Sequence, residues 1–340
     1  MEITLHTTAA AFEALAAEWN VLLRNSAADT PFLTHEWQQT WWDCLCEGQL
    51  HLMTIRDGGA LLGIAPLFVL SQPDETGQPQ RLLRLIGSVD ASDYLDLIAV
   101  RGCEREVYQA FLDELARLDT WDAIDLWNVP EASLSRLLLP ELAAQRCWSV
   151  LDEKQVVCPI IRLPAQFEDY VQSLDKKERH ELRRKLRRAE GTEGVAWYTV
   201  TGLDHTRDLD EAADAFIALM MKSRSDKSDF MTDAMRRFFH QMIHATHRGG
   251  FLHLAFLEVY GVKAASYLSF DYNQKRLVFN SGLETESFQA LSAGIVLAAR
   301  IIEEAIHQGY AEFDFLRGDE RYKYQLGAKD TWIYHVKIER

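Results

Sequence analysis

The pattern of hydrophobic and polar residues occurs twice along the chain. Residues 50–68 and 252–270 align without a gap, and each consists of an apolar segment, a turn with glycine and a second apolar segment. The turns, Asp57-Gly58-Gly59 and Tyr260-Gly261, fall at equivalent positions. This arrangement is typical of a β-hairpin with a short loop. We therefore predict one hairpin in each half of the chain.

The elements around the two hairpins also correspond. Upstream, Thr34 and Thr232 are each suited to cap a helix whose apolar residues have helical spacing. Downstream, each half continues with a strand, a long amphipathic helix and another strand. These elements are predicted at Tyr94–Val100, Glu104–Leu118 and Ala123–Leu126, and at Arg276–Ser281, Leu291–His307 and Glu312–Phe315. Several elements in the same order indicate a duplication.

The order of elements predicts an α/β (α+β) fold in two tandem copies. Helices, a meander, a helix and a strand favour a mixed, mostly antiparallel sheet with one parallel neighbour, flanked by helices. We place the boundary between Pro159 and Pro164, which gives domains at 1–160 and 161–340. The last strand-like segment, Thr331–Ile338, suits either sheet.

The composition suits a folded protein of two ordinary domains. The formal net charge of −15 opposes a general nucleic-acid binder, because phosphate contacts need clustered cations. The longest apolar stretches, such as Leu61–Leu70, are too short for a membrane span, and the first residues lack the basic start of a signal peptide. The five cysteines form no paired motif and indicate reduced thiols. We therefore expect a cytoplasmic protein.

Two polar segments of the second copy have no equivalent in the first. Ser287–Gly294 precedes a long helix, and its small residues Ser292, Ala293 and Gly294 would let a phosphate approach the N–H groups of the helix start. A plain N-cap followed by a packing glycine is the alternative. Asp314–Lys323 is a dense polar run at a strand end, where catalytic groups are commonly displayed. A salt-bridged surface turn is the alternative there.

A third segment, Asp175–Arg188, forms a cationic helix in an acidic protein. Leu182 and Leu186 share one face of this helix, so the arginines are expected on the other faces. A charge run of this kind is commonly a solvated helix face. The density of arginine also suits an anionic substrate or a phosphate.

Two further clusters are assigned to structure and not to ligand binding. His240, His244 and His247 share a helical face, but no carboxylate or cysteine completes the set, so we expect no metal. The tryptophans of the first copy have helical spacing, which is typical of core residues. They are Trp37, Trp41 and Trp42.

These segments resemble the Fem-like and the cellulose-biosynthesis-type (CelD-like) acetyltransferases of the GNAT superfamily over nearly the whole chain. The most specific motif is Phe313-Asp314-Phe315-Leu316-Arg317-Gly318-Asp319 with Tyr322-Lys323. The resemblance also rests on Pro31-Phe32 with the following Trp-rich helix, Gly63-Ile64-Ala65-Pro66-Leu67, the segment around Arg179 and Arg183, and Asn280-Ser281-Gly282. It implies tandem GNAT domains that transfer an acyl group from a thioester or ester to an amine.

The resemblance also implies roles for the residues of these motifs. Direct transfer needs a neutral amine, a donor to the developing oxyanion and a proton source for the leaving group. Asp319 or Glu320 would orient or deprotonate the amine, and Tyr322 would protonate the leaving group. Lys323, or a backbone N–H near Ser281-Gly282, would stabilise the oxyanion, since related Fem-type peptidyltransferases place a lysine of this segment near the reacting ester.

The donor implied by the resemblance is acetyl-CoA or another acyl-CoA. The usual GNAT pyrophosphate loop is incomplete here and is represented by Ala290–Gly294. The residues predicted to hold the donor are Ser281, Gly282, Ser292, Ala293 and Gly294. Those predicted to hold substrate are Arg179, Arg183, Asp314 and Arg317.

Three functions remain open from the sequence. The first is an N-acyltransferase whose acceptor is an amine, for example of an amino sugar or a polysaccharide precursor, with an acyl carrier protein as a further possible donor. The second is an aminoacyl-tRNA-dependent transferase like the Fem peptidyltransferases, in which the basic helix would grip RNA. The third is a non-catalytic GNAT-fold module that binds a partner in polysaccharide synthesis or export.

Overall fold

The computed structural model describes residues 1–74, 76–87, 91–202, 206–223 and 230–340. The chain forms two compact units. The first consists of Met1–Val156 together with Trp332–Arg340, and the second of Val157–Thr331. The last strand of the chain thus begins in the second unit and ends in the first. None of the described helices is long and apolar enough to cross a membrane.

The first unit contains two sheets and four α-helices among its described residues. The helices are α1 (Ala10–Arg24), α2 (His35–Leu45), α3 (Glu104–Arg117) and α4 (Leu134–Ala144). One sheet has the order β1-β3-β4-β7, formed by β1 (Glu2–His6), β3 (Leu52–Asp57), β4 (Ala60–Ala65) and β7 (Ile98–Ala99). The other is formed by β2 (Gln49–Leu50), β5 (Leu67–Pro73), β6 (Pro79–Leu85), β8 (Ala123–Pro130) and the end of β15 (Lys329–Glu339).

The core of the first unit is rich in aromatic residues. Trp19, Trp37 and Trp121 are fully buried, and Trp41 is nearly so, while Trp42 is half-buried. The indole N–H of Trp37 donates to the hydroxyl of Ser92 at 2.8 Å, so its polar group is satisfied inside the core. The prediction that the tryptophan cluster of α2 belongs to the core is confirmed for Trp37 and Trp41.

The second unit has one sheet with helices on both faces. Its strands are β10 (Val195–Thr201), β11 (Leu252–Val259), β12 (Val262–Tyr272), β13 (Lys275–Leu283), β14 (Glu312–Asp314) and the end of β9 (Ser149–Arg162), in the order β10-β11-β12-β13-β14-β9. The helices are α5 (Phe167–Ser173), α6 (Lys176–Glu190), α7 (Leu209–Ser223), α8 (Asp233–Arg248), α9 (Ala293–His307) and α10 (Arg321–Gln325).

Each face of this sheet has its own apolar layer. Helices α5, α6 and α9 share a cluster with the strand residues Tyr267 and Val278. On the opposite face, Phe216 of α7 and Phe239 of α8 pack together, and Phe239 also contacts Phe279 of β13. Because successive side chains of a strand alternate between faces, β13 supplies residues to both layers.

The predicted mixed α/β fold with sheets flanked by helices is confirmed. Strands β6 and β8 are parallel, and so are β13 and β14, while the other described pairs are antiparallel. Both predicted hairpins are present, as β3–β4 and β11–β12. Both predicted threonine caps are present too, since Thr34 accepts from the N–H of Trp37 and Thr232 from that of Met235.

One predicted strand is mostly wrong. Of the segment Tyr94–Val100, only Ile98–Ala99 is a strand. Tyr94 has a left-handed backbone with φ of 50°, and the carboxylate of Asp96 accepts the N–H of Leu97 at 2.8 Å. The left-handed residue breaks the extended path, and the local hydrogen bond competes with strand pairing.

Candidate functional site

In the second unit the pairing between β13 and β14 ends before β13 does, and we call the gap in the pairing beyond this point the opening. Their parallel pairing runs only from Lys275 and Glu312 to Leu277 and Asp314. Beyond this point β13 continues to Leu283, whereas the chain after Asp314 follows β9, to which the N–H of Phe315 donates at the carbonyl of Pro159. The ends of two parallel strands that diverge are a common place for a ligand.

The part of β13 that borders the opening is irregular. Its register with β12 shifts between Leu268 and Ser269, so Phe279 is the extra residue of a β-bulge. Two residues later, the N–H of Ser281 donates to the side-chain oxygen of Asn280 at 2.8 Å. The side chain of Asn280 thus accepts a backbone N–H in the part of β13 that is not paired with β14.

Three hydroxyl groups lie on one face of the sheet near the opening. Ser281 and Tyr267 are directly opposite each other on β13 and β12, so their side chains share a face. Tyr322 of α10 is hydrogen-bonded to Tyr267 and packs against the same apolar cluster. Burial raises the pKa of both tyrosines, so both hydroxyls keep their protons at neutral pH.

The side chain of Lys323 is enclosed by the loop of residues 315–320 that follows β14, which we call the strand-end loop. Only 3 % of this residue is exposed, and its Nζ donates to the carbonyl oxygens of Leu316 at 3.3 Å, Arg317 at 2.7 Å and Gly318 at 3.1 Å. Its ammonium also pairs with Glu320 at 2.9 Å. These contacts occupy the ammonium with the protein's own oxygens. Lys323 therefore holds the strand-end loop in place, and its predicted role at an oxyanion stays a prediction.

The strand-end loop has an unusual backbone. Leu316 has φ of 53° and Gly318 has φ of 112°. The buried carboxylate of Asp314 accepts the N–H of Leu316 at 2.8 Å and supports this conformation. A left-handed non-glycine residue costs free energy, and such residues concentrate at functional sites. Asp314, predicted to bind substrate, thus supports the loop from within.

The remaining residues of the motif lie at the surface of this loop. Asp319 is exposed, as is Glu320, whose carboxylate pairs with Lys323. Arg317 is half-buried. The structure therefore brings six predicted site residues together in the segment Asp314–Lys323, and two of them, Asp319 and Glu320, are exposed and accessible to a ligand.

Helix α9 begins beside the end of β13. Ser292, at its N-cap, has left-handed φ and ψ of 54° and 46°, and its side chain makes no capping hydrogen bond. A Cβ atom added to Gly294 would lie 2.7 Å from Cδ2 of Leu283, so the glycine allows close contact between helix and strand. The N–H groups of Ala293 and Gly294 are in the first turn, where a helix has no acceptor of its own.

Gly282 has a packing role in the structure. A Cβ atom at this position would lie 2.5 Å from the backbone nitrogen of Met220 and 2.6 Å from the carbonyl carbon of Leu219, both in α7. Only a residue without a side chain lets α7 approach β13 this closely. The predicted contact of Gly282 with the donor stays a prediction.

The basic helix α6 is fixed to its neighbours by several of its arginines. Arg179 donates to the backbone and side-chain oxygens of Gln172 at 2.9 Å, and Arg183 pairs with Glu168. These contacts hold α6 against α5. Arg188 donates at 2.7 Å to the carbonyl oxygen of Ala290, which lies in the turn Gln289–Leu291 that precedes α9.

A cationic surface remains along α6. It borders a depression of about 930 Å³ that is lined by Arg179, Arg183 and Arg187, together with lysines, a histidine and two glutamates of the same helix. The ion pair of Arg183 is exposed and contributes little to stability. Arg183 can therefore exchange Glu168 for an anionic ligand at small cost.

Two of the three histidines of α8 are hydrogen-bonded to acidic residues of α7. Nε2 of His240 lies 3.0 Å from the carboxylate of Asp214, and Nε2 of His244 lies 2.8 Å from that of Asp210. In the part of the chain that the structure describes, no group of histidine, cysteine and acidic residues has the geometry of a metal site.

Three features of the site were missed in the sequence. Tyr267 sits in an ordinary strand pattern, and its bond to Tyr322 joins residues far apart in the chain. The bulge at Phe279 has no local signal, because it depends on the register with β12. Arg188 is one of several arginines in its helix, and only the packing of α6 against Ala290 distinguishes it.

Residues 176–324 match the sequence profile described as "Acetyltransferase (GNAT) domain". The matched segment runs from the start of α6 into α10 and contains β13, β14, the strand-end loop and the start of α9. No curated protein sequence matches the chain. The fold of residues 176–324 is that of a GNAT-type acyltransferase domain.

Solved structures of similar fold cover almost the whole chain. FemX is 12 % identical in sequence, with a TM-score of 0.67 over 99 % of this chain and 97 % of its own. The C-terminal domain of a putative lysylphosphatidylglycerol synthetase from Agrobacterium fabrum is 10 % identical, with a TM-score of 0.57 over 98 % and 92 %. L-PGS from Bacillus licheniformis is 10 % identical, with a TM-score of 0.58 over 95 % and 91 %. At these identities the similarity shows the fold alone.

Proposed function

We propose that the chain is an N-acyltransferase that moves an acyl group, in the simplest case acetyl, from acyl-CoA to an amine. The observation that carries the proposal is the opening between β13 and β14, with the bulge at Phe279 on one side and the start of α9 at its end. An acyl-CoA has a long amide-containing arm and a pyrophosphate group, and the residues around the opening offer partners for both.

The residues around the opening have distinct tasks in this proposal. The backbone of β13 near Ser281 would form hydrogen bonds with the amides of the arm. The N–H of Ser281, which donates to the side chain of Asn280 in the free protein, would then donate to the arm instead. The first turn of α9, at Ala293 and Gly294, would bind the pyrophosphate through its N–H groups. Arg179 and Arg183 would bind the remaining phosphate of the donor or a phosphate of the acceptor. When bound, acyl-CoA supplies a thioester that is reactive toward amines.

The proton transfers are assigned to the hydroxyl and carboxylate groups. Tyr322 keeps its proton at neutral pH, and its hydrogen bond with Tyr267 orients the hydroxyl. A proton donor to a leaving thiolate needs both properties. Asp319 and Glu320 are exposed and would accept a proton from the attacking amine. Arg317 would steer an anionic acceptor. Lys323 would shape the loop that carries these groups and, as the resemblance implies, face the oxyanion.

The acceptor we propose is an amine of an amino sugar or of a polysaccharide precursor. The support is the resemblance to the cellulose-biosynthesis-type group. A panel of amino sugars, amino acids and polyamines, tested with acetyl-CoA while free thiol is measured, distinguishes the acceptor classes.

The test of the donor is calorimetric titration of the protein with acetyl-CoA and longer acyl-CoAs. Gly294→Trp places a large side chain at the start of α9, against Leu283, and is expected to abolish binding. The matched control is His307→Trp, at the exposed end of the same helix, which is expected to bind like the wild type. Absence of binding to any CoA ester by the wild type contradicts the proposal.

An aminoacyl-tRNA-dependent transfer is the second candidate, supported by the structural similarity to FemX over 99 % of the chain and by the cations of α6. It predicts that charged tRNA binds and that its affinity falls steeply with salt. A non-catalytic module is the third candidate, and it predicts that neither donor is consumed with any amine. Acyl carrier protein is tested in the same assay.

A further inference from the structure

The first unit carries a concave surface that has no part in the proposed transfer. It is a depression of about 540 Å³ on the sheet formed by β5, β6, β8 and β15. All of its described lining residues belong to this unit. They include Gln72, Gln80, Arg84, Asp125, Trp127 and His335.

Two stacked rings form an aromatic platform in this depression. The rings of Trp127 and His335 lie 3.8 Å apart, centroid to centroid, at an interplanar angle of 15°. Nε2 of His335 is 2.7 Å from Oδ1 of Asp125, which fixes the orientation of the imidazole. The platform is therefore rigid before any ligand arrives, which lowers the entropic cost of binding.

The arginine and the lysine of the lining each have an acidic partner. Arg84 donates from Nε to Oδ2 of Asp125 at 2.8 Å, and Lys337 pairs with Glu339 at 2.6 Å. Burial raises the pKa of the Asp125 carboxyl, but the hydrogen bond from His335 and the charge of Arg84 outweigh it, so the group stays ionised at neutral pH. The carboxylate of Asp74 accepts from the backbone and side chain of Thr76.

We propose that this depression is a binding site for a neutral saccharide. The apolar face of a sugar ring packs on an aromatic side chain, and its hydroxyl groups bind planar polar side chains. Trp127 provides the ring, and the amides of Gln72 and Gln80 with the guanidinium of Arg84 provide donors and acceptors. A phosphate or carboxylate ligand is disfavoured, because the described cations of the lining already have acidic partners.

The experiment is titration of the full chain with cellobiose, maltose and N,N′-diacetylchitobiose, followed by calorimetry and by ligand-observed NMR. At least one of these sugars is expected to bind at millimolar concentration or below. Trp127→Ala is expected to weaken that binding by about tenfold or more, whereas Trp127→Phe retains most of it. The control is Trp197→Ala, which removes an exposed tryptophan from the second unit.

Each outcome decides the proposal. Because Trp127→Ala removes a packed ring and could destabilise the fold, Gln80→Ala, at a half-buried position, is tested in parallel. This variant is expected to weaken the binding of the same sugar. The proposal is overturned if none of the three sugars binds, or if binding is unaffected by both variants. It is also overturned if a nucleotide or an acidic sugar binds in this depression in preference to the neutral ones. The proposed acyl transfer is expected to be unchanged in these variants.

Discussion

The ammonium of Lys323 donates to the carbonyl oxygen of Arg317 at 2.7 Å and is surrounded by the loop that it stabilises. We expect Lys323→Met to lower the free energy of unfolding by about 3 kcal/mol, because the loop carbonyls and Glu320 lose a buried cationic partner. Urea denaturation measures this loss. Lys329→Met, at an exposed position, is the control and is expected to be nearly neutral.

The same variant separates the two roles of Lys323. If Lys323→Met unfolds at the urea concentration of the wild type but has lost turnover, the lysine acts on the reacting atoms and its structural role is minor. If stability and turnover fall together and Lys323→Arg restores neither, the geometry of the loop is the requirement.

Gly282→Ala is expected to destabilise the second unit by about 2 kcal/mol, because the added carbon would meet the backbone of α7 at Met220. Thermal unfolding measures the change. Gly191→Ala is the matched control: this glycine has an ordinary negative φ of −84° at the end of α6 and its nearest neighbour is 3.3 Å away. Equal melting temperatures for the two variants would contradict the packing role of Gly282.

Arg188 of α6 donates to the carbonyl of Ala290, which lies in the 3-10 turn Gln289–Leu291 that leads into α9. We expect Arg188→Ala to weaken acyl-CoA binding by about tenfold, because the chain that presents the first turn of α9 loses a charged hydrogen bond. Calorimetry of the variant measures this. The control is Arg184→Ala, which removes an arginine of the same helix that pairs only with Glu181 among the described contacts. The affinity of this variant for acyl-CoA is expected to match that of the wild type.

The buried Asp96 makes the first unit sensitive to pH. Burial raises the pKa of Asp96 to about 6, although it accepts hydrogen bonds from Ser133, Ser135 and the N–H of Leu97. A raised pKa means that the folded state binds this proton more tightly than the unfolded state. This contribution to stability is full below the ordinary pKa of 3.8 and is lost as the pH rises through about 6.

Asp96→Asn is expected to remove that dependence. Relative to the wild type, the variant should gain up to about 3 kcal/mol of stability between pH 4 and pH 7, since two pKa units correspond to that amount. Chemical denaturation at several pH values measures the difference. Asp119→Asn, whose side chain is exposed, is the control, and a similar pH-dependent gain for both variants would count against the assignment to Asp96.

The sequence predicted the hairpins and the long helices because these depend on local periodicity. The Thr34 and Thr232 caps follow from the same local chemistry. The prediction of a strand at Tyr94–Val100 was mostly wrong, because the pattern of hydrophobic residues does not indicate the left-handed backbone of Tyr94.

Within the candidate site, the sequence identified the polar strand-end loop but not the direction of its side chains. Lys323 and Asp314 are buried among backbone groups of their own loop, and this depends on the left-handed turn at Leu316. The hydrogen bond between Tyr267 and Tyr322 and the bulge at Phe279 are set by tertiary packing and strand register. The spacing of residues along the chain therefore predicts neither the hydrogen bond nor the bulge.

The path of β15 has a consequence for how the protein is made. Its residues from Ile333 onward pair with β8 of the first unit, which was synthesised about two hundred residues earlier. The first unit therefore cannot complete its sheet on the ribosome until the second has been translated. A nascent chain stalled before Ile333 would expose the edge of β8, a target for chaperones. Expression of the first unit alone requires residues 332–340 to be fused back beside this edge.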